Sequence, residues 1–259
     1  MSNVERRCDR RGRGMQTGPS RRARMRAALE REARDEARRL TAAHGVEGLS
    51  LSAVARAVGV SPPALYRYFE GKKGLVLAVY EDLTDEFVST VSAAVRREDP
   101  EDLGAQLYAA ARAVLDWSLG HPAEFDLLMG AGYARLATES AVDQVLAREL
   151  GGLFGDLFTR LWRRGGLDHP ADDEIDPALR AQLLTYRRLI GQEFPVGVVL
   201  LMVTCWRQIY GLLCMSVHHH LAAAFGDCVP LFEHMIDDLL ALLGVERSPA
   251  QRTGAAVER

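Results

Sequence analysis

The chain has 259 residues, 48% of them hydrophobic, with 32 Lys or Arg against 35 Asp or Glu. That suits one large or two small globular units with a real core. Cys8, Cys205, Cys214 and Cys228 form no CxxC pair and the N-terminus has no apolar leader, which excludes a secreted disulfide scaffold and points to reduced thiols in the cytoplasm. The longest apolar run, Val196 to Trp206, is about eleven residues with a Thr inside, too short to span a bilayer.

Ala, Leu, Arg and Glu dominate and β-branched alternation is rare, so the fold class is all-α. Residues 1–26, Arg-rich and poor in large apolar side chains, read as a flexible arm. The spacing of Leu29, Ala33, Ala37 and Leu40 predicts a helix, with Gly45 past its end. Ser50 caps the next helix, and Leu51, Val54, Ala55 and Val58 share its inner face. Gly59 permits a tight turn, Val60 plugs the angle, and Ser61 and Pro62 open a short helix from Pro62 to Tyr68. Leu75, Val79, Leu83, Phe87 and Val91 recur every four residues along a helix from about Lys72 to Arg97. Further helices are expected over about 101–120, from Pro122 through Met129, over 134–164, 177–190 and 196–220, and over 227–243. An acidic loop fills 165–177, and 245–259 reads as a frayed tail.

Charge divides the chain. Residues 1–73 hold 17 Lys or Arg against 8 Asp or Glu, a surplus of 9, and the remainder holds 15 against 27, a deficit of 12. A basic N-terminal third on an acidic body is the electrostatic footprint of a nucleic-acid binder with a separate second function. Two helices joined by the Gly59 turn present Pro63, Ala64, Tyr66, Arg67 and Tyr68 on a face that fits the DNA major groove. At Ser50, Ala55, Gly59-Val60-Ser61, Leu65-Tyr66, Tyr68-Phe69, Lys72 and Leu75 the chain resembles the TetR family of bacterial transcriptional regulators, over about residues 28–80. The resemblance implies a three-helix helix-turn-helix domain at 27–82 and a larger helical ligand-binding and dimerisation domain at 83–244. It also implies a homodimer on double-stranded operator DNA, released by a small-molecule effector.

Within that frame, Arg67 either forks onto guanine O6 and N7 or holds a phosphate. Tyr66 and Tyr68 donate to phosphates, or one of them supports the helix from behind. Pro62, Pro63 and Ala64 offer apolar contact, the last two to a thymine methyl. Lys72 shares a phosphate with the free amides of the next helix, and Ser50 and Ser61 either cap, contact phosphate or do both. Arg21, Arg22 and Arg24 lead an arm that enters the minor groove or stays solvated. In the C-terminal half, Trp206, Gly211, His220 and Asp227 resemble the regulator domain named for its Trp-His-Gly motif; Tyr210 replaces the motif histidine and Met215-Ser216 departs from its acidic position.

Trp117, Phe125, Met129, Phe158, Met202, Trp206 and Tyr210 are the candidate ligand-binding residues, a bulky apolar set suited to a hydrophobic or aromatic molecule. The last two helices, with Gly197, Gly211 and Ala222 to Ala224 allowing close approach, are the expected dimer interface. His218-His219-His220 point in different directions and suggest no metal site. The acids at 172–176 lack EF-hand spacing, and no cofactor fingerprint is present. The competing reading is an all-α ligand-binding protein or enzyme without DNA function, which would need scattered acids with His121 or His169.

Overall fold

A computed structural model describes residues 20–130 and 143–247. Among these it has ten helices and no strand. They are α1 (Arg21–Gly48), α2 (Leu51–Ala57), α3 (Pro62–Leu65), α4 (Gly71–Arg97), α5 (Leu103–Gly120), α6 (Pro122–Leu128), α7 (Asp143–Arg163), α8 (Pro177–Leu189), α9 (Val196–Val217) and α10 (Val229–Leu242). The all-α expectation holds, as does the order of a small N-terminal and a larger C-terminal helical part.

Helix α1 buries Ala33, Ala37 and Thr41. It begins earlier than the sequence suggested. The Ser20 hydroxyl accepts from the Ala23 amide at 3.2 Å, and Arg21, Arg22 and Arg24 stand on helical backbone rather than in a flexible arm. Arg and Ala are good helix formers, and a capping Ser is enough to extend the helix through them. Residues 1–19 lie outside the described residues, as does the expected start of the 134–164 helix. Gly45 takes φ +67° and breaks α1 before its last three residues, where the sequence placed the end.

Ser50 caps α2 through the Ala53 amide at 3.1 Å. Gly59, at φ +73°, makes the turn, and the Val60 amide closes it on the Ala55 carbonyl at 2.9 Å. Helix α3 is four residues long, shorter than the predicted Pro62 to Tyr68. Beyond Leu65 the chain tightens to i→i+3 bonds, Arg67 to Ala64 and Tyr68 to Leu65, and Phe69 turns inward to the core. Ser61 makes no side-chain cap bond. Asp102, rather than Glu101, starts α5 by accepting from the Ala105 amide at 2.8 Å.

Helices α4 and α5 pack most extensively and join the two parts of the molecule. Leu75, Val79, Leu83, Phe87 and Val91 all lie buried on α4. Helix α9 extends well past the eleven-residue apolar run and, at 22 residues, is long and apolar enough to cross a bilayer by length and composition. It is instead the centre of the body, packed on α5, α7, α8 and α10 with twelve buried residues. Gly197, expected at a dimer contact, belongs to this interior: a Cβ there would strike the Pro170 carbonyl.

The tail also differs from expectation at its start. Arg247 is 7% exposed. It bonds Asp237 at 2.7 Å and 2.8 Å and also Glu233, and its guanidinium lies 4.7 Å from the Tyr108 ring centroid. A guanidinium with two carboxylates and an aromatic face has enough partners to leave water, so residues 245–247 strap α10 to α5. Residues 248–259 lie outside the described residues.

Candidate DNA-reading head and body cavity

The surface around α3 is built by short-range geometry. Leu65 and Phe69 face inward, so Pro63, Tyr66 and Arg67 face out, with Pro62 and Ala64 half-buried beside them. Tyr66 is 62% exposed, a value that rules it out as a core residue. Tyr68 is half-buried against the core and lies under the Arg26 guanidinium, 5.2 Å from ring centroid to cation. Its ring therefore links the end of the α3 turn to α1. The Lys72 ammonium donates to the Glu47 carbonyl at 3.1 Å, tying the start of α4 to the last turn of α1. Two of its three protons remain for other acceptors. Arg21, Arg22, Arg24 and Arg56 are exposed, as are Ser50 and Ser61.

The head joins the body at Arg38 of α1. Its guanidinium donates to Glu86 of α4 at 2.6 Å and to Glu124 of α6 at 3.2 Å. Arg34, one turn earlier, donates to Asp82 at 2.7 Å. Hydrogen bonding from Arg38, opposed by partial burial, holds the Glu86 carboxyl below the usual carboxylate range. No sequence periodicity announced this joint, because its three members are 48 and 86 residues apart in pairs.

The body holds a partly open cavity of about 500 Å³. Leu107 and Ala111 of α5, Leu128 and Met129 at the end of α6, and Leu146, Leu150, Phe154 and Phe158 of α7 line it. Leu183 and Tyr186 of α8, Met202, Cys205, Trp206, Ile209 and Tyr210 of α9, and Ile236, Leu239 and Leu240 of α10 line it too. Exposed Leu179 and Gln182 mark the rim. The structure thus brings together five of the seven predicted residues: Met129, Phe158, Met202, Trp206 and Tyr210. Trp206 and Tyr210 stack with centroids 5.8 Å apart, and the Tyr210 hydroxyl donates to the Met129 carbonyl at 2.6 Å.

Trp117 and Phe125 are not on the cavity wall. Trp117 packs on Phe87 and His121, 4.7 Å and 5.0 Å between centroids, in the core beside the head. Phe125 is fully buried behind Tyr210, 6.3 Å between centroids. Both are apolar at helical spacing, and composition alone cannot separate a core aromatic from a cavity aromatic. Leu150, Leu183 and Tyr186 line the cavity and were not singled out in the sequence, since α7 and α8 meet α9 only through the tertiary fold. Burial pushes the Cys205 thiol up to about 12, which makes it a neutral part of the wall.

Residues that an enzyme reading would need stay apart. His121 contacts the Trp117 carbonyl at 3.0 Å and His169 the Pro170 carbonyl at 3.0 Å. Among the described residues no three His, Cys, Asp or Glu gather as a metal site. His218 instead faces Asp126 at 3.4 Å.

Comparisons agree with this layout. The family model for bacterial regulatory proteins of the TetR family matches residues 34–79, the head. A second model, the tetracyclin repressor-like C-terminal domain, matches residues 107–239, more than half of the chain. The chain is 32% identical over 177 residues to the HTH-type transcriptional regulator Rv1816 of Mycobacterium tuberculosis, covering 67% of this chain and 74% of that one, and equally to Mb1846 of Mycobacterium bovis. The solved structure of the regulatory protein SCO4313 is 25% identical, with a TM-score of 0.65 over 86% of this chain and all of that one. A TetR-family regulatory protein from Rhodococcus RHA1, 15% identical, shares the fold with a TM-score of 0.52 over 85% of this chain and 98% of its own. A helix-turn-helix head, a helical C-terminal domain and these relatives together exclude the enzyme reading: the chain belongs to the TetR family of DNA-binding transcriptional regulators.

Proposed function

We propose that this regulator is a homodimeric, cytoplasmic repressor that leaves its operator when a small apolar molecule fills the body cavity. The observation that carries this reading is the position of α6. Its C-terminal Met129 lines the cavity and accepts from Tyr210, while Glu124, in its first turn, holds α1 through Arg38. A ligand that displaces Met129 works on the helix that fixes the head. A ligand shifts such an equilibrium only through unequal affinity for the two arrangements, and α6 is where that inequality would arise.

On the head, Arg67, Tyr66, Pro63 and Ala64 are the side chains positioned to meet base edges. Lys72, Ser50, Ser61, Arg21, Arg22 and Arg24 surround them as phosphate contacts. One head covers one half-site, so two are needed, centred about 34–36 Å apart or a little more. The outer faces of α9 and α10 suit a twofold contact. Leu200, Thr204, Gly211 and Met215 share one face of α9, and Leu231, Met235 and Leu242 one face of α10. Met215 and Leu242 remain 38% and 47% exposed, and a Cβ on Gly211 would meet nothing within 4 Å among the described residues. Paired, these helices form a four-helix bundle.

Gel shift on the DNA upstream of the protein's own gene tests the reading, with light scattering on the same sample. A mass of two 28.6 kDa chains and a discrete shifted band are expected. A monomer at micromolar concentration would contradict the dimer, and a smear indifferent to sequence would contradict the operator.

A further inference from the structure

The cavity has a chemical signature beyond its size. Among the described residues its wall contains no Lys, Arg, His, Asp or Glu. Its polar atoms are few. The Tyr210 hydroxyl is committed to the Met129 carbonyl, and the Cys205 thiol is protonated at physiological pH. The Tyr186 hydroxyl lies beside Gly151 of the wall and makes no hydrogen bond among the described residues. Gln182 stands exposed at the rim. An ion placed against these residues would lose its water and gain no opposite charge from them. A neutral molecule would lose little, and one hydrogen-bonding group on it would find Tyr186.

We infer that the cavity takes an uncharged, largely apolar ligand whose single neutral polar group, a carbonyl, hydroxyl or ether, is met by the Tyr186 hydroxyl, and that it rejects carboxylates, sulfonates and ammonium compounds. This rests on the sensing role proposed above and narrows it. A fatty acid or other amphiphile with an ionised head would have to bring that head against this uncharged lining, although its tail would fit. Trp206 and Tyr210, already stacked, favour a flat apolar body.

Two probes of nearly the same shape separate charge from size. N-phenyl-1-naphthylamine is neutral, and 8-anilinonaphthalene-1-sulfonate adds one sulfonate. With Trp117 and Trp162 replaced by Phe, quenching of Trp206 reports occupancy of the cavity. The neutral probe should saturate at one per chain, and the sulfonate should bind that site at least ~100-fold more weakly. Gln182→Arg, at an exposed position that leaves the core intact, should narrow that ratio by ~10-fold. The neutral ketone probe 6-propionyl-2-dimethylaminonaphthalene tests the polar half: Tyr186→Phe should weaken it by ~5-fold and leave the naphthylamine unchanged.

A sulfonate that competes for the same site within ~10-fold of the neutral probe would overturn the inference, as would a neutral probe that fails to quench Trp206. Equal weakening of ketone and naphthylamine by Tyr186→Phe would remove Tyr186 as the polar contact. Selective neutral binding with no change in operator affinity would uphold the cavity's chemistry and contradict the sensing role instead.

Discussion

The head and the body of this regulator solve opposite packing problems. In the head, small side chains, Ala33, Ala37, Val54 and Ala55, are fully buried together with Leu65, and α2 packs on both α1 and α3. In the body, large ones, Leu150, Phe158, Met202 and Trp206, stand around an unfilled volume of about 500 Å³. A reading surface must hold a fixed angle to fit a groove, whereas the proposed sensing chamber must leave room for a ligand. Close packing gives the first, and incomplete packing of large apolar groups gives the second at some cost in dispersion energy.

The largest expected effect distinguishes these two kinds of packing. Leu65→Ala should cost about 2–5 kcal/mol of head stability, because every atom removed had neighbours. Met202→Ala should cost less, about 1–2 kcal/mol, since that side chain already borders empty space. Urea unfolding with a matched pair of variants measures the gap. Equal losses would mean that the cavity wall packs as a solid core.

On the head surface, Arg67→Ala should lose about 1–3 kcal/mol on the operator and relax specificity at one base position. Lys72→Ala should instead weaken all sequences alike and lower the salt slope by about one. Fluorescence anisotropy on operator and scrambled DNA across salt concentrations reads both. If Arg67→Ala weakens the two DNAs equally, Arg67 only anchors the backbone.

The joint is the third test. Arg38→Ala leaves Glu124 without its partner from α1. Stability should fall by only about 1 kcal/mol, because the pair is partly exposed. The ligand response of the operator complex should shrink more than that small loss suggests. An unaltered response would place the coupling elsewhere. The smallest effect is chemical. Cys205, held neutral by burial, should resist iodoacetamide at pH 8, while half-exposed Cys214 and Cys228 alkylate first in peptide mass mapping. Early alkylation of Cys205 would show a wetter cavity.

The two regions also differed in how much of them the sequence displayed. The head is written in short range: Ser50 three residues before the amide it caps, Gly59 at the turn, Leu65 and Phe69 one turn apart. Its chief surprise, the helical start at Arg21, hung on a single cap at Ser20. The body is long-range. Five cavity residues were recognisable by bulk, but Trp117 and Phe125, alike in composition, went to the core, and Tyr186 came from a helix that reveals its inner face only when packed on α9. The Arg38 joint and the Arg247 strap depend on partners far apart or past the last helix, which no periodicity encodes.

The central claim is that cavity and operator are linked, and reciprocity tests it most directly. Operator affinity measured by anisotropy with and without saturating N-phenyl-1-naphthylamine gives one factor, and probe affinity from Trp206 quenching with and without operator gives the other. The account predicts the same factor both ways, roughly 5- to 150-fold weaker in each. A probe that fills the cavity while operator affinity stays unchanged would contradict it, and leave a DNA-binding head carried by a body that does not speak to it.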